Sequence, residues 1–238
     1  MDIPSSLAIV VLAAFIHASF QLSVSVLTLL SGHAIGAKRS QAKVLRLSWG
    51  FITGVGVMTL LLLSFISLLL LHSFEQSAAP LVAWAIACGL VFGIGFAVWL
   101  FYFRKEKGTK LWIPRPFAEH LTNRSKATKH SAEAFSLGLT SVIGELLFII
   151  PSMVISALVL LELPSAWQLI GIAVYVIISL SGLMVVSSLI GSGHSISKIQ
   201  KWREDNKGFL QFSAGSALLA LGFFVYISKV VAEVSGAI

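Results

Sequence analysis

The sequence has little charge: only 11% of its 238 residues are Asp, Glu, Lys or Arg, whereas a soluble domain carries about 25%. It has a single cysteine, Cys88, so it can form neither an internal disulfide bond nor a metal site of paired cysteines. The motifs of phosphate-binding glycine loops, HExxH metalloproteases, CxxC pairs and GxSxG hydrolases do not occur. We therefore expect a protein that is not an enzyme and that holds no cofactor and no metal.

Long apolar segments dominate the rest of the chain. Hydrophobic residues make up 57% of it, and a helix needs about 20 of them in a row to cross a bilayer. Six segments are long enough. They lie at 5–31, 46–71, 80–103, 132–162, 166–191 and 208–236. We predict an all-α integral membrane protein with six transmembrane helices.

Basic residues are confined to three of the five connections and predict the orientation. Sixteen of the 17 Lys and Arg residues lie in the first, third and fifth connections, whereas the second and fourth hold only the carboxylates Glu75 and Glu162. The positive-inside rule places basic loops in the cytoplasm. The sequence thus predicts a multi-pass protein of the cell (inner) membrane with both termini extracytoplasmic. We expect anionic lipid, but no nucleic acid, beside the basic loops.

The long basic connection divides the predicted helices into two groups of three. The first half covers 1–103, a basic cytoplasmic linker covers 104–131, and the second half covers 132–238. With this topology the two halves have opposite orientations, as in transporters built from inverted repeats. An offset of 128 residues places His17 opposite Glu145. The sequence predicts an inverted repeat of low internal identity.

The fourth apolar segment carries a carboxylate, Glu145, and a proline, Pro151, six residues later. An acidic side chain in hydrocarbon costs about 2.5–3.5 kcal/mol and marks functional sites. A proline removes one backbone donor and clashes with the preceding turn. We predict a helix break between Glu145 and Pro151, and a carboxylate that binds a proton or a cation. The alternative is a structural acid bonded to a serine or to backbone.

Polar side chains also follow one face of the first helix at intervals of three to four residues: His17, Gln21, Ser25 and Thr28. Polar groups inside a membrane face protein or water. We predict a substrate or proton pathway formed by Glu145, His17, Gln21, Ser25 and Ser141. The alternative is a set of interhelical hydrogen bonds that hold the bundle together.

Two stretches carry a family resemblance. FIHASFQLSVSVLTLLSGHAIGAKRS followed by LRLSWGFITGVGVMTLLLL resembles the opening of the LysE/DsbD-type superfamily of amino-acid exporters, nickel and cobalt exporters and CcdA thiol-electron carriers. The turn from Gly32 to Arg39 and the glycines Gly54 and Gly56 carry the likeness, and AFSLGLTSVIGELLFIIPSM is similar to the second-half counterpart. The resemblance implies a six-helix fold and a transport role.

The chain departs from each branch of that superfamily. The paired cysteines of the CcdA branch and the His/Asp motif and His-rich loop of the nickel branch do not occur. Ala18 to Gln21 replaces the Pro-Gly-Pro-like motif of the exporter branch. The resemblance therefore indicates a fold and a transport role, but it does not identify the substrate.

Two functions stay open at this point. The first is a secondary transporter or exporter of a small solute or ion, coupled to protons or cations through Glu145. The second is a non-transporting membrane assembly or scaffold protein that binds a partner protein or lipid. The residues do not determine the substrate, the direction of flux or whether the protein forms a homo-oligomer. They also do not determine whether His17 and Glu145 are in contact.

Overall fold

The computed structural model describes residues 2–20, 22–36, 40–74, 79–102 and 114–235, in which all regular structure is helical. The predicted all-α class is confirmed. The helices are α1 Ile3–Ser19, α2 Leu22–Gly36, α3 Gln41–Ser73, α4 Leu81–Ala97, α5 Arg115–Ala127, α6 Ser131–Ile143, α7 Leu146–Leu161, α8 Ser165–Ser179, α9 Ser181–Gly191, α10 Ile196–Asp205 and α11 Lys207–Val225. π-helical turns extend α4 over Val98–Tyr102 and α11 over Tyr226–Val231.

Proline positions account for several helix starts. Five of the six prolines lie at the beginning of α1, α4, α5 or α8, where no intrahelical partner for the missing N–H is needed. Only Pro151 lies inside a helix, α7.

The helices are long and apolar enough for a membrane protein. Three helices are each long enough to cross a membrane by themselves: α3, α4 with its π turn, and α11 with its extension to Val234. In three further cases two successive helices reach that length only as a pair, with a bend between them: α1 with α2 at 48°, α6 with α7 at 80°, and α8 with α9 at 44°. The described residues therefore hold three candidate spans, or up to six if each bent pair is one span. Each predicted apolar segment coincides with one of these.

Burial separates a central helix from peripheral ones. Helix α7 buries most of its side chains, and it packs against α1, α3 and α4. Helix α3 instead exposes large apolar residues, among them Leu61, Phe65 and Leu68. An apolar exposed face is what contact with lipid requires. Within the predicted linker, α5 packs against α2 and α6 and buries Leu121.

Glycines bring α3 and α6 together backbone to backbone. A Cβ atom added at Gly54 would collide with the carbonyl oxygen of Phe135, and one added at Gly138 would collide with that of Phe51. Small residues at a helix crossing let two backbones approach closely. This crossing joins a helix of the first predicted half to a helix of the second.

A salt bridge ties the end of the last helix to the end of α7. The ammonium group of Lys229 donates to Glu162, and it lies 5.1 Å from the ring centroid of Trp84. The side chains are 9% and 25% exposed, respectively. The pair thus connects the π turn of α11 to the turn after α7 and to α4.

We expect Lys229→Met or Glu162→Gln to lower the free energy of unfolding by about 1–3 kcal/mol, because each leaves a partly buried partner unpaired. The double variant should cost less than the two single losses added together. Thermal unfolding in detergent measures all three, with exposed Lys198→Met as the control. Strictly additive losses would show that the two side chains are not coupled.

Candidate functional site

The predicted carboxylate lies in the sharpest bend of the structure. Gly144 and Glu145 form the turn between α6 and α7, whose axes differ by 80°. Glu145 is only 3% exposed, and its Oε1 accepts a hydrogen bond of 2.5 Å from the backbone N–H of Ser23. Ser23 is the second residue of α2, where backbone N–H groups have no partner within the helix. Glu145 therefore supplies a hydrogen-bond acceptor to a backbone N–H at the start of α2, although the two residues are 122 positions apart in the chain.

Two opposing effects act on the charge of Glu145: burial disfavours it, and the start of α2 favours it. The first turn of a helix carries a partial positive charge that attracts anions. The positive charge of Arg203 has a weaker influence on the carboxylate. The buried acid is thus held by the first turn of α2.

Ser141 belongs to the same cluster. Its hydroxyl lies 3.1 Å from that of Ser23 and donates to the carbonyl oxygen of Gly138 at 2.8 Å. The Ser23 hydroxyl also bonds to the carboxylate of Glu145, so Ser23 lies between the two side chains. The structure therefore brings two predicted site residues, Glu145 and Ser141, to one place around Ser23.

The bend lies at Gly144 and Glu145, at the start of the predicted interval from Glu145 to Pro151, and not at the proline itself. Helix α7 runs unbroken from Leu146 to Leu161 with Pro151 in its second turn, and the bend precedes it at Gly144 and Glu145. A proline removes a single bond within a helix, here the one to the carbonyl of Leu147, and the remaining bonds carry the helix on. The chain bends instead where the Glu145 carboxylate bonds to another helix.

His17 belongs to a second polar cluster. Its Nδ1 lies 3.1 Å from the hydroxyl of Tyr175 in α8, and that hydroxyl lies 3.5 Å from the hydroxyl of Ser152. Ser152 in turn donates to the carbonyl of Ile149. His17, Tyr175 and Ser152 are all buried. Among the described residues, the hydrogen bonds of His17 lead to α8 and those of Glu145 to α2.

The predicted stripe on the first helix is divided. Helix α1 ends at Ser19, and Phe20 after it is extended, so His17 and Ser25 lie on two helices whose axes differ by 48°. Gln21 lies outside the described residues. The hydroxyl of Ser25 accepts a hydrogen bond of 3.0 Å from Arg203 in α10. The expectation of one continuous polar face fails because the helix breaks within it.

Ser25 and Thr28 open onto a cavity of about 320 Å³. We call it the α2–α10–α11 cavity after the helices that supply most of its wall. It is lined by Ser19, Phe20, Leu22, Ser25, Thr28, Leu29, Gln200, Arg203, Glu204, Lys207, Leu210, Gln211 and Ala214. Leu22 precedes Ser23, so the cavity begins one residue from the partner of Glu145.

Comparison with protein families, curated proteins and solved structures gave no match. The resemblance to the LysE/DsbD-type superfamily therefore stays a prediction. The residues themselves must carry any functional conclusion.

Several residues of the site were not found by sequence reasoning. Arg203 and Lys207 count in the sequence as loop charges, although α10 and the start of α11 place both at the cavity. Tyr175 carried a signal, because a tyrosine in an apolar helix needs a partner for its hydroxyl. Within the described ranges, no three His, Cys, Asp or Glu side chains group as metal ligands would.

Proposed function

We propose that this chain is a secondary membrane transporter or exporter of a small solute, coupled to protons or cations through Glu145. One observation carries the proposal: the buried Glu145 carboxylate joins the bend of one helix pair to the beginning of α2, beside a cavity. Interrupted helices whose ends point at a bound charge are a recurring way to build transport sites.

The charge of Glu145 gives the site two states. Ionised, the carboxylate accepts strongly from Ser23 N–H and attracts Arg203. Protonated, or bound to a cation, it holds both groups less tightly. A change of charge therefore biases the arrangement of α2 against the α6–α7 bend, which is the requirement for coupling. His17 has a positioning role in this scheme, since its bond to Tyr175 links α1 to α8.

The proposal includes a six-span inverted repeat. The π turn of α4 begins at Val98 and that of α11 at Tyr226, 128 residues later, the offset that aligns His17 with Glu145. Packing follows the same relation: α4 pairs with α11, α3 with α6, and α8 with α1. In the proposed repeat each bent pair is one span, and the halves 1–103 and 132–238 are equivalent.

The basic connections give the proposed orientation. Arg124 and Lys126 lie in the last turn of α5, Lys129 follows it, and Lys198, Lys201 and Arg203 lie in α10. In the proposed orientation both connections face the cytoplasm of an inner membrane. Lys229 and Glu162 pair at the opposite end, with both termini extracytoplasmic. Anionic lipid is expected at the cytoplasmic side.

Flux measurements on purified protein in liposomes with an internal pH-sensitive dye test the function. We would impose a proton gradient and add amino acids, divalent metals, organic cations and organic anions in turn. Solute-dependent proton movement is expected for the wild type and is expected to fall to background in Glu145→Gln, which cannot be ionised. Glu119→Gln, which changes an exposed carboxylate on α5, is the matched control.

Glu145→Gln that moves protons as fast as the wild type would contradict the proposed coupling. If folded wild-type protein moved no solute of any class, the assembly or scaffold function would become the better explanation. Co-purification of a partner would then be the next measurement.

A further inference from the structure

The α2–α10–α11 cavity has a volume and a polar lining that the bond between Glu145 and Ser23 does not explain. Two cations, Arg203 and Lys207, and one carboxylate, Glu204, line it. Both cations are half-buried, whereas Glu204 is exposed. Among the residues that line the cavity, two are positively charged and one is negatively charged, which favours an anion. An arginine presents planar paired donors that match a carboxylate or a phosphate.

A buried amide marks one wall of the same cavity. Gln211 is 7% exposed, and its side-chain oxygen accepts no hydrogen bond from any residue that the structure describes. A buried acceptor without a donor costs about 1–3 kcal/mol, so proteins rarely retain one without a use. A hydroxyl or N–H group of a bound ligand would satisfy this oxygen.

The remaining wall is apolar. Phe20, Leu22, Leu29, Leu210 and Ala214 line it. A volume of about 320 Å³ is at the small end of the usual range for ligand pockets. The wall suits a compact hydrocarbon group next to the anionic one.

We propose that the α2–α10–α11 cavity binds a small organic anion that carries a hydrogen-bond donor beside its anionic group, as a 2-hydroxy acid does. Arg203 and Lys207 receive the anionic group, the oxygen of Gln211 accepts from the donor, and the apolar wall covers the hydrocarbon part. That this anion is the transported solute rests on the proposed function. The binding site itself does not.

Three related probes separate these contributions. Mandelate has a carboxylate and a hydroxyl, phenylacetate has the carboxylate alone, and mandelamide has the hydroxyl without the charge. Isothermal titration calorimetry on wild-type protein in phosphatidylcholine nanodiscs gives each affinity. We expect mandelate to bind about 10-fold more tightly than phenylacetate, because only mandelate satisfies Gln211. Mandelamide should bind at least about 10-fold more weakly than mandelate.

Variants assign each effect to its residue. Gln211→Leu should lower the affinity for mandelate to that for phenylacetate, and it should leave the affinity for phenylacetate unchanged. The Tm of this variant should be unchanged or higher, because a buried unpaired oxygen is removed. Arg203→Gln should weaken both acids about 10-fold or more. Lys207→Gln provides a second charge variant if Arg203→Gln folds poorly. Lys201→Gln, an exposed lysine of α10 outside the cavity, is the control and should bind like the wild type.

Equal binding of mandelate and phenylacetate to wild type, or binding that survives both Arg203→Gln and Lys207→Gln, would overturn the site. A stabilising shift in Tm given only by nanodiscs containing phosphatidylglycerol would also overturn it in favour of a lipid headgroup. Mandelate binding without proton-coupled flux would support the site and count against transport. Flux of a different solute without mandelate binding would support transport and refute the site.

Discussion

Gly54→Ala and Gly138→Ala are each expected to prevent accumulation of folded protein. The new Cβ atom would lie on a backbone carbonyl oxygen of the facing helix, that of Phe135 or of Phe51. A flexible side chain could move away, but a backbone carbonyl moves only if α3 and α6 separate along their crossing. Ordinary overpacking costs about 1–3 kcal/mol. We expect a loss of more than about 4 kcal/mol here, a size reserved for such backbone conflicts.

Size-exclusion chromatography of fluorescent fusions in detergent measures this loss as the disappearance of the monodisperse peak. Gly89→Ala and Gly93→Ala in α4 are matched controls, since a Cβ at either position meets nothing within 4 Å. Both controls should give wild-type peaks. Peaks of wild-type height for Gly54→Ala and Gly138→Ala would mean that α3 and α6 do not cross backbone to backbone.

Glu145→Leu is expected to unfold more easily than Glu145→Gln, although both variants should lose proton coupling. Glutamine keeps an oxygen that can accept from the N–H of Ser23, whereas leucine leaves that N–H without its acceptor. An unsatisfied buried donor costs about 1–3 kcal/mol. Glutamine also removes the cost of burying a charge. We expect Glu145→Gln to be at least as stable as the wild type and Glu145→Leu to be less stable by about 1–3 kcal/mol.

Thermal unfolding with hydrogen exchange at the amide of Ser23 measures the difference. Exchange at Ser23 should speed up in Glu145→Leu and stay slow in Glu145→Gln. Ile143→Leu, an exchange of similar apolar side chains at an exposed position near the same bend, is the control. If the leucine and glutamine variants unfold together, the bond to Ser23 contributes nothing to α2.

The positions of the helices follow from the sequence because bilayer thickness requires long apolar runs. Each of the six predicted segments contains a helix or a bent pair. The bends after Ser19 and Ser179 were not predicted, since no proline or glycine lies at Phe20 or Leu180. The start of α2 is completed by a carboxylate 122 residues away in the chain. Sequence patterns within one segment cannot predict a hydrogen-bond partner that lies so far away in the chain.

The candidate site was predictable in part for a similar reason. A carboxylate in an apolar segment identified Glu145, and Ser141 is one of the polar residues that precede it in the sequence. Helical spacing fixes which residues share a face, but it does not fix which helix that face meets. His17 therefore turned out to contact Tyr175. Arg203 had been read as an orientation signal, and its second role at the cavity required the fold of α10.

The glycine crossing of α3 and α6 has a consequence for how the protein is made. Gly54 and Gly138 are 84 residues apart in the chain, which a ribosome needs about 4–17 s to synthesise at about 5–20 residues per second. During that time α3 is already long enough to enter the membrane, while the surface it presents to α6 has no counterpart. The packing of α3 against α6 therefore waits until α6 has left the ribosome, and this part of the bundle forms only after both helices have been made.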